Sequence, residues 1–280
     1  MKLLFTGRGG AGSWTVRGEQ LGAACGGKVK ANASRRYCEE ADLIIVVKRT
    51  PDELLEAVRA SGKPWVYDVV DCYPQPMASL WKANEAASWV RQRLEQLKPS
   101  AVIWPNHRMG QDCSVDLPSM VLPHHYRPGI EKNPIRDRVK KVGYEGASHY
   151  LQDWGPDIEK ECEKRGWQFV VNPSKLADVD IVVAVRGGMW SGYVPRHWKS
   201  NVKLANCHGS GTPFIGQQEC GYMETESGAE YWLEEKSGLG MCFDWLTPRA
   251  TRQQVQDRFL RNAYSVDKAA EDLKAFLHGL

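Results

Sequence analysis

The chain has 280 residues, 42% hydrophobic and 25% charged, with a formal net charge of +3. That is ordinary globular composition and enough chain for one large or two medium domains. No apolar run approaches the roughly 18 residues needed to span a bilayer. The opening Met1–Gly7 is too short for a secretory signal and reads as a first strand. Eight cysteines are present, none at Cys-x-x-Cys spacing, and Cys113, Cys207 and His208 lack neighbours at zinc-like spacing. The expectation is a cytoplasmic protein with reduced thiols, no membrane partner and no obligatory metal.

Strands and helices alternate along the chain. Residues 2–6 form an apolar run ending in glycine, Trp14–Ala24 has helical character, and residues 28–33 suggest a second strand. Asp42–Val47 is a continuous apolar run typical of a strand buried on both faces. Pro51–Ser61 reads as a helix with proline at its start, Trp65–Val70 as a strand ending at Asp71, and Ala78–Leu97 as a long amphipathic helix. Ala101–Trp104 and Ser119–Leu122 are short strands. Pro123–Pro134, with three prolines and Gly129, reads as a linker.

The pattern then restarts. Residues 138–142 are expected as a strand, His149–Arg165 as a helix and Trp167–Val171 as a strand. Asp180–Val185 is a second doubly buried strand, matching Asp42–Val47. Phe214–Ile215 and Met241–Trp245 are read as late strands, with terminal helices over Arg249–Arg261 and Ser265–Leu277. Repeated strand–helix units imply parallel sheets with right-handed crossovers. The expected organisation is residues 1–130 as one Rossmann-like domain and 131–264 as a second, with 265–280 returning to the first.

Two glycine turns stand out, one per half. Gly7-Arg8-Gly9-Gly10-Ala11-Gly12 fits the dinucleotide fingerprint between a strand and a helix. The acidic residue expected about 20 positions on is replaced by Asn32, Ser34, Arg35 and Arg36, which argues against NAD and leaves an NADP-dependent oxidoreductase as an alternative. In the second half, Lys203-Leu-Ala-Asn206-Cys-His-Gly209-Ser210-Gly211-Thr212-Pro213 follows a strand ending in Arg186. Arg186 and Lys203 offer two cations to a diphosphate leaving group. Asn206, Gly209, Ser210 and Thr212 add donors, and Tyr222 and Glu224 follow the next strand, where a carboxylate can take ribose hydroxyls.

Ligands of open α/β sheets sit beyond the carboxyl ends of the strands. Asp68 and Asp71 bracket such an end, and Asp71 is the preferred general base on an acceptor hydroxyl. His107 follows the next strand and is a further acid–base candidate. Gly10, Ser13, Trp14 and Arg17 line the first loop and helix, with Arg17 in reach of an anion, and His125 and Arg127 stand at the junction. Residues 127–141 hold six basic residues against two acidic ones, a charge that attracts phosphates or a polyanion.

These motifs resemble GT-B glycosyltransferases. The resemblance covers nearly the whole chain and rests on Gly9–Gly18, on Gly143-Tyr144-Glu145-Gly146, and on Lys203–Pro213 with Tyr222 and Glu224. It implies two Rossmann-like domains facing a cleft, a nucleoside-diphosphate sugar as donor (UDP favoured) on the C-terminal domain, and an acceptor on the N-terminal domain. Arg186 and Lys203 would then hold the diphosphate and Glu224 the ribose, with Gly10 near the donor and Ser13, Trp14, Arg17, His125 and Arg127 near the acceptor. The Glu-x7-Glu pattern of many retaining members is missing at Lys203–Asn206, so stereochemistry stays open. The chain is short for the family. Compact members include phage DNA glucosyltransferases, which makes a hydroxymethylated pyrimidine in double-stranded DNA the favoured acceptor, in host cytoplasm if phage-encoded. Saccharide, lipid or small-molecule acceptors and a non-catalytic nucleotide- or nucleic-acid-binding role are the alternatives.

Overall fold

The computed structural model describes residues 1–71 and 80–280. The first half contains β1 (Leu3–Gly7), α1 (Gly12–Trp14), a π-helical turn (Thr15–Gln20), α2 (Leu21–Ala24), β2 (Lys28–Val29), α3 (Arg35–Glu39), β3 (Leu43–Val47), α4 (Asp52–Ala60), β4 (Trp65–Asp68), α5 (Ala83–Leu97), β5 (Ala101–Trp104), α6 (His107–Cys113) and β6 (Ser119–Val121). The second contains β7 (Lys141–Tyr144), α7 (Trp154–Glu163), β8 (Gln168–Val171), β9 (Ile181–Ala184), α8 (Tyr193–Trp198), α9 (Val202–Ser210), β10 (Phe214–Gln217), α10 (Cys220–Met223), β11 (Tyr231–Leu233), α11 (Leu239–Leu246), α12 (Arg249–Arg261) and α13 (Val266–His278).

Every strand pairing among the described residues is parallel. One sheet runs β2-β1-β3-β4-β5-β6 and the other β8-β7-β9-β10-β11. The wiring is therefore the same twice, with a sixth strand added to the first sheet. In both, the strand order reverses beside the first strand, so each sheet has a crevice at its carboxyl edge, between β1 and β3 and between β7 and β9. The apolar runs expected as central strands, β3 and β9, are buried throughout.

The long helix begins, within the described residues, at Ala83; its expected start at Ala78 lies outside them. Ala86, Val90, Leu94 and Leu97 of α5 face the core at helical spacing. Met241–Trp245, expected as a strand, lies within α11. Leu239, Cys242, Phe243 and Leu246 are buried there while Met241 and Trp245 are exposed, the i, i+3, i+4, i+7 stripe of a helix. The last strand is instead β11, beside β10.

Two segments cross between the halves. Val194 and Trp198 of α8 are buried in the core of the first sheet, where Trp198 Nε1 donates to Asp112 Oδ2 at 2.8 Å. Ala269, Ala270, Leu273 and Leu277 of α13 pack with Leu3, Phe5, Leu21 and Leu43. The C-terminal helix thus returns to the first half, as expected. No helix among the described residues is long and apolar enough to cross a membrane.

Candidate functional site

The carboxyl edges of the two sheets face each other and are laced together. Asn106, just past β5, donates to the carbonyls of His197 and Lys199 at 3.0 Å each. His124, past β6, donates its backbone N–H to Asn201 Oδ1 at 2.7 Å. Lys199 reaches across to Asp71 at 3.2 Å.

On the second sheet, Lys203 in the first turn of α9 points into the crevice. It is 8% exposed, and its ammonium has no hydrogen-bond partner among the described residues. It stands 4.1 Å above the Tyr144 ring, whose hydroxyl is likewise unpartnered. Burial, reinforced by nearby Arg186, lowers its pKa to about 7. Gly146 keeps the space in front of it open: at φ 135° a Cβ would stand 3.4 Å from Lys203 Nζ and 3.3 Å from Tyr144 Oη. A buried ammonium without a partner is costly, and an anion relieves that cost.

Arg186 sits beside it but is already paired. Its Nε lies 2.7 Å from Glu219 Oε1, its backbone N–H donates to Gln217 Oε1 at 2.7 Å, and its guanidinium stacks 5.5 Å from the Tyr150 ring. Burial alone would weaken the guanidinium's hold on its proton, but the Glu219 carboxylate outweighs it and raises the pKa. Tyr222 is buried behind this pair, 5.3 Å edge-on to Phe214, and burial pushes its hydroxyl well up.

The rest of the expected donor loop is elsewhere. Gly209, Ser210 and Thr212 lead from the end of α9 into β10, so they lie at the amino edge of the sheet, opposite the cleft. Ser210 and Thr212 are fully buried and bonded to each other at 2.8 Å, and Tyr126 packs against Gly209. Asn206 is a brace: it accepts from the Arg127 backbone at 3.0 Å and donates to Glu145 at 3.2 Å. Glu224 is exposed at the seam between the halves. It crosses to the other half and caps α6, accepting from the backbone N–H groups of His107 at 2.6 Å and Arg108 at 3.0 Å.

In the first half, Gly10 lies in an open loop, with nothing within 4 Å of where a Cβ would stand, and Ser13 is half-buried at the start of α1. Trp14 and Arg17 turn inward instead of facing an acceptor. Trp14 packs on Val47 and Val70 and donates to Glu19 at 3.0 Å. Arg17 is fully buried, donates to the Leu122 carbonyl and pairs with Asp68 at 3.6 Å. Burial raises the Asp68 pKa against that pairing, and Asp68 is an internal counter-ion rather than a cleft group. His125 is buried against Gln20 at 3.1 Å, and burial, with Arg17 adding to it, lowers its pKa to about 4. Arg127 is exposed but paired with Glu145 at 2.8 Å.

Asp71 does reach the cleft, clamped between Lys48 and Lys199. Burial would raise its pKa, but the Lys199 and Lys48 ammoniums outweigh it and hold the carboxyl well below its usual range. A carboxylate so stabilised is a poor proton acceptor. Of the three expected catalytic groups, only the His107 side chain is exposed and outside any ion pair; it lines a cavity of about 420 Å³ with Trp104, Gln111 and Met120.

Sequence reading missed Lys48, Tyr144, Lys199 and Glu219. Lys48 and Glu219 stand just beyond strand carboxyl ends and Tyr144 is the last residue of β7, the positional signal that singled out Asp71. The backbone marks the same place. Lys48 (φ 56°) and Val70 (φ 68°) are left-handed non-glycine residues, each at the centre of a three-residue turn: Arg49 N to Val47 O at 2.7 Å and Asp71 N to Val69 O at 2.8 Å. A branched residue in that region is strained, and such strain gathers at functional sites.

Of the basic stretch of residues 127–141, only Arg127 stands at the carboxyl edge, on Glu145. Residues 138–141 lead into β7 at the amino edge, and Arg136 is spent on Asp180 at 3.1 Å. Arg35 and Arg36, the basis of the NADP alternative, pair with Glu39 and Glu40 along α3. Among the described residues no group of three or more His, Cys, Asp or Glu is arranged to hold a metal ion.

No family model matches the sequence, and no curated protein matches it. Solved structures do match the fold. The HepE protein of Anabaena, solved in complex with UDP, is 12% identical with a TM-score of 0.67, all of both chains being covered. AviGT4, a glycosyltransferase involved in avilamycin A biosynthesis, is 9% identical with a TM-score of 0.60, covering 100% of this chain and 98% of that one. The UDP-GlcNAc 2-epimerase of Neisseria meningitidis, bound to UDP-GlcNAc, is 12% identical with a TM-score of 0.55 over all of both chains. At such identities the likeness shows the fold: two Rossmann-like sheets facing a cleft, with the last helix crossing back, which is the GT-B fold.

Proposed function

We propose that this protein is a glycosyltransferase that moves a sugar from a nucleoside-diphosphate sugar, UDP-linked by preference, to an acceptor hydroxyl. The observation that carries the reading is the buried, unpartnered Lys203 ammonium at the carboxyl edge of the second sheet, facing Tyr144 and the space kept by Gly146. There it would bind the diphosphate and stabilise the charge that grows as the glycosidic bond breaks. Arg186, neutralised by Glu219, would orient rather than supply net charge. The UDP and UDP-sugar found on proteins of the same fold support this donor class.

His107 is our candidate for accepting the acceptor hydroxyl's proton. Asp71 instead braces Lys48 and Lys199 across the cleft. Hydroxymethylated duplex DNA, the acceptor suggested by the basic stretch, is weakened as a choice because the part of that stretch leading into β7, residues 138–141, lies at the far edge of the second sheet.

The test is calorimetric titration with UDP, other nucleoside diphosphates and NADP, then product analysis from UDP-sugars with hydroxymethylated DNA, saccharides or lipids added. UDP binding with acceptor-dependent sugar transfer supports the reading. A changed sugar epimer formed without acceptor would assign the epimerase chemistry of a fold relative instead, and binding of NADP alone would move the chemistry to the first glycine loop. His107→Ala is expected to lower kcat by about 10²- to 10⁴-fold with UDP affinity retained, the span typical of a lost general base; unchanged kcat removes His107 from the role.

A further inference from the structure

We propose that the acceptor carries a phosphate monoester, or an equivalent tetrahedral oxyanion, held by Arg8, Arg49 and Arg93 at the crevice of the first sheet. The inference rests on the transferase reading only for the word acceptor; the anion site itself stands on its own geometry. A cavity of about 290 Å³ is lined by Arg8, Arg49, Thr50, Pro51 and Arg93. Three of these five residues are arginines and none is acidic. Arg8 follows β1 and Arg49 follows β3, the two strands beside which the order reverses, so the cavity opens where a sheet of this wiring takes its ligand.

The arginines are delivered from three separate elements. Arg8 comes from the glycine loop, whose carbonyl at Arg8 is fixed by Asn32 Nδ2 at 3.1 Å. The left-handed turn at Lys48 separates neighbouring side chains, sending Lys48 to Asp71 and leaving Arg49 to the cavity. Arg93 arrives from α5 and spends one N–H on Thr50 Oγ1 at 2.8 Å. Among the described residues neither Arg8 nor Arg93 has a carboxylate within ion-pair distance, although twenty such pairs occur elsewhere. The acidic residues that open α4, Asp52 and Glu53, are exposed and do not line the cavity. The guanidiniums of Arg8 and Arg93, brought to one cavity without a carboxylate, repel each other unless an anion joins them. Each presents a planar fork suited to oxyanions. Three forks match a tetrahedral phosphate better than a planar carboxylate, which offers only two oxygens.

The test titrates inorganic phosphate, then glucose 6-phosphate, into protein already saturated with UDP, at constant ionic strength, for the unaltered chain, Arg8→Gln, Arg93→Gln and the double variant. Expected is phosphate binding alongside UDP, weakened about ten-fold by each substitution, the scale of one charge-assisted hydrogen bond. UDP affinity should stay unchanged in every variant, which also shows that they fold. Phosphate that competes with UDP, or binds the variants as it binds the unaltered protein, overturns the proposal and leaves the donor reading intact. Failure of UDP to bind, with phosphate binding still dependent on Arg8 and Arg93, removes the donor reading and keeps the anion site. Tighter binding of a duplex oligonucleotide than of glucose 6-phosphate, lost in the same variants, overturns the monoester in favour of a phosphodiester.

Discussion

The two sheets share one wiring but treat buried charge in opposite ways. In the first half, the deepest cation, Arg17, is consumed internally by Asp68 and the Leu122 carbonyl. In the second, Lys203 is almost as buried but has no such partner. Equal topology supplies equal crevices; what separates a structural cation from a candidate ligand-binding one is whether the fold itself provides the counter-charge.

That contrast is most sharply tested by removing each cation. Arg17→Leu leaves the Asp68 carboxyl alone in the interior, and we expect a loss of about 3–5 kcal/mol of stability, the usual result of breaking a buried pair from one side. Lys203→Met should leave stability unchanged or raised, because it removes an unsatisfied charge. Urea denaturation of both variants decides the point; equal losses would erase the distinction. The same Lys203→Met change should weaken UDP binding by about 10- to 100-fold, the range of a hydrogen bond to a charged group. Calorimetry that finds unaltered affinity would move the diphosphate elsewhere.

A smaller effect follows from pH. With a pKa of about 7 in the folded protein against an ordinary 10.5, Lys203 is protonated below neutrality and neutral above it. Between those values the unfolded chain binds the extra proton. The stability cost is therefore full below pH 7 and is relieved as pH rises toward 10.5. UDP binding must recover the proton above pH 7, so affinity should fall by up to about ten-fold per pH unit there. Titrations at pH 7 and 8 in buffers of different ionisation enthalpy would reveal that uptake, and Lys203→Met should abolish it. Smallest of all, Glu224→Gln should cost about 1 kcal/mol, the scale of a helix cap, with UDP affinity retained if Glu224 serves α6 rather than a ribose.

Much of the architecture was legible because burial on both faces leaves a plain mark: β3 and β9 are uninterrupted apolar runs, and the strand–helix alternation around them implied parallel sheets. The Met241–Trp245 error shows the limit, since a short apolar run fits either period until Leu239 and Leu246 are counted with it. The place of Lys203 at the start of α9 was legible as a helix start beyond a buried strand; its role in holding a ligand is the proposal. Gly209–Thr212 misled because glycine and hydroxyl residues suit a phosphate turn at either edge of a sheet, and only chain direction tells the edges apart. The pairings of Arg17 with Asp68 and of Glu224 with α6 join residues 51 and more than 100 positions apart, beyond the reach of local pattern.

The return of α13 to the first sheet sets an order of assembly during synthesis. Leu3, Phe5, Leu21 and Leu43 emerge from the ribosome early, yet Ala269, Leu273 and Leu277, which cover them, are made only after all of the second sheet. The first sheet therefore waits with an apolar face uncovered while its partner is translated. A nascent chain paused in the second half should bind holdase chaperones through that face, and should lose this binding once α13 clears the exit tunnel.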